Sequence, residues 1–437
     1  MINISPERTN VSSSSHLYSF DDDDDDDYEE KSDKILKLKF IFFFIFIFFI
    51  LVIFLSFVLI LIYYVIIKQE TKFSKIKPET VLSMKEIMKI EKYVNDCMNG
   101  VLINKYPKSE NPKISLVIPV YNKEKFIIRI LRSIQKQSFK NIEIIFCDDY
   151  SYDNSSLLIE EYQKEDKRIV LIKHEKNVGT FRNRIDGVKI AKGEYIIFID
   201  PDDLLLNDIL KRVNSVVSST NIDILQFQLY IGDFYNSFYV VNINRTSAPI
   251  YQPQLSDLMY YEKGYLQQTE CHIWGKAYKK EILMKAINSL NEYYLNQHMS
   301  LHEDGLFLFL IFRKANSYLF IKDYGMLYYS NEYSTMKNLR KKTKINKTAR
   351  DSFLYLEFMF DYTNNTLHEK NMAVYQFKSL QNLFGDTYLE ITDGYDYIFK
   401  VIDLYLNCEI ILEKDKKEIK QLKEKILSVQ KNIYNNI

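Results

Sequence analysis

The chain has 437 residues, enough for one large domain or two of ordinary size, and at 47% hydrophobic and 27% charged it can bury a packed core. Acids and bases balance at 58 each, but residues 1–39 hold eleven acids against five bases, net −6, which leaves the rest of the chain at +6. That mild basicity suits a phosphate-bearing small ligand and falls short of the basic surface that nucleic acid binding uses; the four cysteines (Cys97, Cys147, Cys271, Cys408) have neither metal spacing nor the density of a disulfide framework.

The front of the chain is a polar tail. Residues 1–39 carry four consecutive serines and the acid run Asp21–Asp27, cannot bury a core, and are expected to be disordered. Phe40–Ile67 then runs for 28 residues without a charge. As a helix it rises about 42 Å, more than the roughly 30 Å hydrocarbon core requires, so a transmembrane helix is expected over 40–67. A cleaved signal peptide fits poorly, since the run is too long, starts late, and has no small-residue cleavage site at Lys68. Four lysines flank it on each side, so the basic-residue rule does not orient it. Residues 68–112 read as a stem. Val81, Met84, Ile87, Met88, Ile90, Tyr93, Val94 and Met98 recur at helical spacing, and "YPKSENPK" breaks the pattern.

From Lys113 strands and helices alternate. "ISLVIPVYN", "NIEIIFCDD", "RIVLIKHE" and "EYIIFID" read as strands. "KEKFIIRILRSIQKQ", with Phe126, Ile130, Leu131 and Ile134 on one face, reads as a helix, as do "NSSLLIEEYQKE" and "FRNRIDGVKIAKG", the last ending on Gly193. This order predicts an α/β domain with a mostly parallel sheet flanked by helices, whose ligands sit beyond the carboxyl ends of the strands. The polar residues fall there: Tyr121 and Asn122, Asp148 and Asp149, His174, and Asp200 to Asp203. The last group follows a buried-type strand in "EYIIFIDPDDLLL", and hydrophobic delivery of that much negative charge points to a metal site. No G-x-G-x-x-G follows the first strand and no P-loop occurs, which removes the basis for a dinucleotide dehydrogenase or P-loop enzyme. A nucleotide can instead be held by carboxylates, one on the base or ribose and another on a divalent ion that neutralises a diphosphate.

Five pieces in order, "SLVIPVYNKEKFI", "QSFKNIEIIFCDDYSYDNS", "NVGTFRNRIDGVKIAKGEYIIFIDPDD", "IWGKAYKKEIL" and "HEDGLFLFL", resemble the glycosyltransferase family 2 domains, which have the nucleotide-sugar-binding GT-A fold. The resemblance covers about residues 113 to 320 and places the domain at 113–340. It implies that Pro119 and Tyr121 border the base, and that Asp149 accepts the uracil N–H, with Asp148 as its neighbour and rival. Arg184 would lie near the nucleotide or diphosphate. In the D-x-D motif Asp200-Pro201-Asp202, Asp202 would bind Mn²⁺ or Mg²⁺ and Asp200 would lie near the ribose or metal. Asp304 would be the general base of an inverting displacement, and Trp274 and Lys276 would fall on the acceptor side. The partners implied are a UDP-sugar donor, a glycan, glycoprotein or glycolipid acceptor, and the membrane. The family's habit with one N-terminal anchor is Golgi or endoplasmic reticulum. Two departures stand out. Tyr150 occupies a position where the family usually has glycine or asparagine, and in "FRNRID" Arg184 is aligned by its spacing to Gly187, with Arg182 as competitor.

Simpler roles compete. Asp202 and Asp203 could cap a helix at "LLLNDILKR", Asp148 and Asp149 could be turn residues, and Glu303 and Asp304 could complement a helix dipole. Trp274, the only tryptophan, could be a core aromatic. Sequons at Asn10, Asn154, Asn244, Asn346 and Asn364 do not settle luminal exposure. Residues 341–437 are expected to be helical, with Leu412, Ile419, Leu422, Ile426, Val429 and Ile433 at three- and four-residue steps. The reading that results is a membrane-anchored inverting glycosyltransferase, a hexosyl- or N-acetylhexosaminyl-transferase. The alternative is an inactive relative that binds sugar or nucleotide or acts as a scaffold.

Overall fold

Strand β1 (Ile114–Val120) shows how the core is built. Its seven residues are all buried, and they alternate between two apolar layers. Ile114, Leu116, Ile118 and Val120 join one layer and Val117 the other. Strands β2 (Ile142–Asp148) and β4 (Tyr195–Phe198) divide in the same way, with Ile144 and Phe146, Tyr195 and Ile197 on one face, and Ile145 and Cys147, Ile196 and Phe198 on the other. A strand buried on both faces between helix layers reads as a continuous apolar run, and such strands belong to parallel sheets.

The computed structural model describes residues 82–99, 105–206, 208–233, 238–240, 247–252, 272–299, 302–330, 345–362 and 413–435, with 399–400, 402–403 and 406–407. These lie in one compact unit, Glu79–Ile437. The expected tail (1–39) and transmembrane helix (40–67) lie outside the described residues, and among the described residues no helix is long and apolar enough to cross a membrane. The alternation from 113 is present. After β1 come helix α2 (Glu124–Gln135), β2, α3 (Ser155–Glu165), β3 (Ile169–Lys173), α4 (Thr180–Ile190), β4, the two-residue β5 (Leu204–Leu205) and α5 (Ile209–Thr220). Next are β6 (Ile224–Asp233), β7 (Phe238–Val240), β8 (Ile250–Tyr251), β9 (Lys276–Lys279), α6 (Lys280–Asn288), α7 (Glu292–Leu295), α8 (Glu303–Lys314), β10 (Ser317–Ser330), α9 (Ile345–Tyr362) and α10 (Glu413–Asn435). Helix α1 (Met84–Asn99) precedes them all.

The sheet runs β3-β2-β1-β4-β9-β6-β10-β5. The first four strands are mutually parallel, but β9 enters between β4 and β6 antiparallel to both, and β5, β7 and β8 also pair antiparallel. The expected mostly parallel sheet is therefore a mixed one, because the chain returns to β4's free edge from the opposite direction. Two helix boundaries also differ from the expectation. Helix α4 stops at Ile190, where Ala191 turns extended, and does not reach Gly193. On α2 it is Ile127 that joins the buried face, and Phe126 is only half-buried.

Helix α1 docks through Ile90 and Cys97, with Leu82 just before it, on Leu204, Leu206, Tyr230 and Leu327, and Tyr93 Oη donates to the Leu205 carbonyl at 2.7 Å. The helical spacing of its methionines does not mark the docked face, since Met84 and Met88 are 71% and 63% exposed. Helix α8 is apolar all round, with every residue from Gly305 to Phe312 buried. Such a helix belongs in the core, and its N-terminus carries Glu303 and Asp304 inward.

Candidate active site

Strand β4 ends at Phe198, and the next residues make a tight turn in which Asp203 N–H donates to the Asp200 carbonyl at 3.0 Å. Strand β5 follows at Leu204, and helix α5 starts only at Ile209. Asp202 and Asp203 therefore cap no helix. Asp203 faces inward and accepts from Tyr329 N–H at 3.0 Å, while its Oδ2 is buried without a hydrogen-bond partner. Burial, and then the charges of Asp202 and Asp200, push the Asp203 carboxyl well above the usual carboxylate range. Asp202 extends beside helix α2. Its Oδ2 lies 2.9 Å from Lys123 Nζ, and its carbonyl accepts from Arg129.

The second acid group comes from the start of α8. His302 holds a left-handed backbone (φ 62°) that breaks the chain direction just before Glu303. Helix α9 supports this corner, with His302 Nε2 3.1 Å from Ser352 Oγ and the His302 ring stacked on Tyr355. Burial lowers the His302 pKa to about 4, so its imidazole is neutral at ordinary pH.

Arg184, from the middle of α4, joins the two groups. Its side chain is 4% exposed; Nη2 donates to Asp200 Oδ1 at 2.9 Å, and Nη1 donates to Glu303 Oε1 at 3.3 Å and to Asp304 Oδ1. Asp304 Oδ2 accepts from Ile273 N–H at 3.3 Å. Burial works against the guanidinium charge, but the three carboxylates, Asp304 first, override it and hold the Arg184 pKa above its ordinary value. The pairing does not relax every acid. Burial, and then the adjacent Asp304 charge, lift Glu303 to about 7 against the pull of Arg184. Burial also raises Asp200 despite Arg184. Acids with displaced pKa values, gathered at one cleft, are what proton-transfer chemistry near neutral pH uses.

The sequence-identified residues fall at one end of the sheet, with different degrees of access. Tyr121 is 45% exposed past the end of β1 and meets Tyr152 edge-on at 6.2 Å, while Pro119 is buried within β1 opposite Cys147. Asp149 is buried and accepts from the backbone N–H groups of Val178 (2.7 Å) and Gly179 (2.9 Å). Gly179 has φ 87°, and a Cβ there would meet the Met299 carbonyl at 2.8 Å, so glycine is required for this loop to close on Asp149. Asp148 accepts from the Ser151 and Ser156 hydroxyls. Both acids thus hold the loops that frame the site. Arg184 faces carboxylates; Arg182, its rival in the sequence, pairs with Asp186 at 2.9 Å. Trp274 is buried, stacked between His272 (4.2 Å) and Tyr328 (5.1 Å), and Lys276 is buried with Nζ donating to the His272 carbonyl at 2.6 Å. Among the described residues both are thus packed against the segment His272–Trp274 and Tyr328.

Sequence reading passed over Lys123 and Arg129. Both look like polar positions of an amphipathic helix; the available signal for Arg129 was its place at i+3 from Phe126 and i−1 from Ile130, at the edge of the apolar face.

Asp200 and Asp202, two residues apart on a tight turn, offer hard oxygen donors, and the orphaned Asp203 oxygen sits beside them. Among the described residues no three His, Cys, Asp or Glu side chains are grouped so as to hold a metal ion by themselves. This donor set fits Mg²⁺ or Mn²⁺ bound by one or two carboxylates and completed by ligand phosphates.

Residues 115–286 match Glycosyl transferase family 2. Among curated proteins, the chain is 33% identical over 123 residues to glycosyltransferase GlyG of Streptococcus pneumoniae, covering 28% of this chain and 39% of that protein. It is 26% identical over 287 residues to the cholesterol galactosyltransferase of Borreliella burgdorferi, covering 62% of this chain and 76% of that one. Among solved structures, S. aureus TarS 1–349 in complex with UDP-GlcNAc superposes with a TM-score of 0.51 at 17% identity, covering 74% of this chain and 92% of that one, a likeness of fold. The chain thus spans well under half the length of GlyG and about three quarters of the Borreliella enzyme.

Proposed function

We propose, from the glycosyltransferase family 2 domain that residues 115–286 carry, that this glycosyltransferase moves a sugar from a UDP-sugar to an acceptor hydroxyl with inversion at the anomeric carbon. The observation that carries the reading is the Arg184 bridge, which holds Asp200 of the strand-tip acids and Asp304 of the helix-start acids on one guanidinium. One group suits a cation and diphosphate; the other suits a proton.

Asp304 takes the proton of the attacking hydroxyl, its carboxylate oriented by Arg184 and by Ile273 N–H. Glu303 stands beside it on the same guanidinium, its own carboxyl raised by burial and by the Asp304 charge. Asp202 and Asp200 would hold Mn²⁺ or Mg²⁺, and the ion would supply charge stabilisation to the departing diphosphate. Tyr121 and Pro119 border the base, and Asp149 and Asp148 fix the loops around it. Acceptors of the glycan, glycoprotein or glycolipid kind fit the reading; the curated Borreliella relative acts on a lipid by its name.

The charge-free run 40–67 makes this a single-pass membrane protein, with Golgi or endoplasmic reticulum as the localisation that accompanies it. Full-length protein recovered in the supernatant of an alkaline carbonate wash would remove the anchor from the proposal. The activity is tested by incubating detergent-solubilised full-length chain with Mn²⁺ and a panel of UDP-sugars and measuring UDP release. Release with at least one donor, abolished by Asp202→Ala, is expected; UDP binding without release from any donor or acceptor mixture would replace the enzyme with a binding protein.

A further inference from the structure

Lys123 is built into the site with a fixed base and a movable charge. Its backbone is pinned, since Lys123 N–H donates to Ser155 Oγ and Asn122 N–H to Ser151 Oγ, both at 2.9 Å. The turn before it is set by Asn122 in the left-handed region (φ 53°). From there a four-carbon stem carries the ammonium to Asp202 Oδ2 at 2.9 Å, with the two side chains 23% and 15% exposed. Arg129 meanwhile holds the Asp202 carbonyl and fixes that residue's backbone. The carboxylate proposed to ligate the divalent ion is therefore the one a lysine charge addresses.

An ion ligated by Asp202 would bring a second positive charge to the carboxylate that the Lys123 ammonium already meets. Like charges a few ångströms apart in a part-buried site repel strongly, because little solvent screens them. A lysine ammonium is a compact point charge on a flexible stem and can move to another anion nearby. The diphosphate of a nucleotide sugar supplies one.

Resting on the reading of Asp202 as the metal residue, we propose that Lys123 couples divalent-ion binding to donor binding: it opposes the ion at Asp202 in the absence of a diphosphate and pairs with the diphosphate when the donor arrives. Ion and donor are then taken up together, and neither is held tightly alone. Because linkage is reciprocal, UDP tightens Mn²⁺ by the same factor as Mn²⁺ tightens UDP.

The test is isothermal titration of full-length chain in detergent with Mn²⁺ alone and with Mn²⁺ at saturating UDP. Lys123→Met keeps the apolar stem and removes the charge. It is expected to bind Mn²⁺ alone at least about fivefold more tightly than the parent and to lose a similar factor of the UDP enhancement, within the usual span of such couplings. Lys123→Arg, which keeps the charge, should retain most of the enhancement. Unchanged or weaker Mn²⁺ affinity in Lys123→Met, with the enhancement intact, overturns the proposal. Asp202→Asn separates it from the reading beneath. If Asp202→Asn binds Mn²⁺ as the parent does, the metal site itself is misplaced; if it loses Mn²⁺ while Lys123→Met behaves as the parent, only the coupling fails. A parent that binds no Mn²⁺ with or without UDP overturns both.

Discussion

The strand-tip acids and the helix-start acids carry similar charge in different settings. Asp200, Asp202 and Asp203 stand on a turn locked by a buried strand, and cations from α2 and α4 address two of them. Glu303 and Asp304 begin a helix buried from Gly305 to Phe312; both accept from Arg184, and Asp304 accepts also from the Ile273 N–H. The first setting gives its acids separate cations, Lys123 on Asp202 and Arg184 on Asp200. The second crowds two carboxylates together and lifts one of them to about 7. Residue type alone does not separate these roles; the elements that deliver the acids do.

Breaking the first group should have the largest effect. Asp202→Ala removes the carboxylate proposed to coordinate the ion without touching β4, and UDP release with Mn²⁺ is expected to fall to background while the circular dichroism spectrum is unchanged. Retained activity would return Asp202 to a structural role. Breaking the bridge tests whether the two groups are one site. Arg184→Met leaves three carboxylates without their shared cation, so unfolding in urea should show a loss of roughly 3–5 kcal/mol, the scale for removing one partner of a buried ion cluster. A loss near zero would mean that the acids do not depend on each other through Arg184.

A gentler change sharpens the contrast. Glu303 has a folded pKa raised from 4.5 to about 7, so between those values the folded protein holds a proton that the unfolded chain releases, and stability falls as pH rises through that window. Glu303→Gln should therefore raise the melting temperature at pH 8 relative to the parent and bring little change at pH 5. Activity should run the other way, declining below about pH 7 as Glu303 takes up a proton beside Asp304. The smallest effect concerns Tyr150, which holds φ 65° with 59% exposure. Since little is buried, Tyr150→Gly should stabilise by roughly 0.5–1 kcal/mol through relief of that backbone, read as a shift in the urea midpoint. A loss would mean that the ring contributes more than its exposure indicates.

Much of the first half was legible for a physical reason. Strands β1, β2 and β4 are buried on both faces and so read as apolar runs, the edge strand β3 is only partly buried, and all four run into polar residues because the sheet's carboxyl edge is where the core stops. The helix α8 is apolar all round and carries no period, so its inward aim had to come from the structure. The two leucines of β5 looked like the first turn of a helix because a two-residue strand has no periodicity. The insertion of β9 between β4 and β6 depends on chain direction, which composition does not record. In the site, the acids were visible as charge at strand tips, and Arg184 as a spacing match. Its partners were not visible: Glu303 and Asp304 lie 119 and 120 residues away in the chain. Lys123 and Arg129 stayed hidden because a polar residue on an amphipathic helix normally faces water.

The central claim is that the helix-start acids act on the proton and the strand-tip acids on the donor. Asp304→Asn tests it most directly, with donor affinity and turnover measured on one preparation. The substitution keeps size and hydrogen-bonding shape but removes the ability to accept a proton near neutral pH. The account predicts UDP-sugar and Mn²⁺ affinity close to the parent's and turnover reduced by roughly 10²-fold or more. Unchanged turnover, or turnover lost only in step with donor affinity, would contradict it.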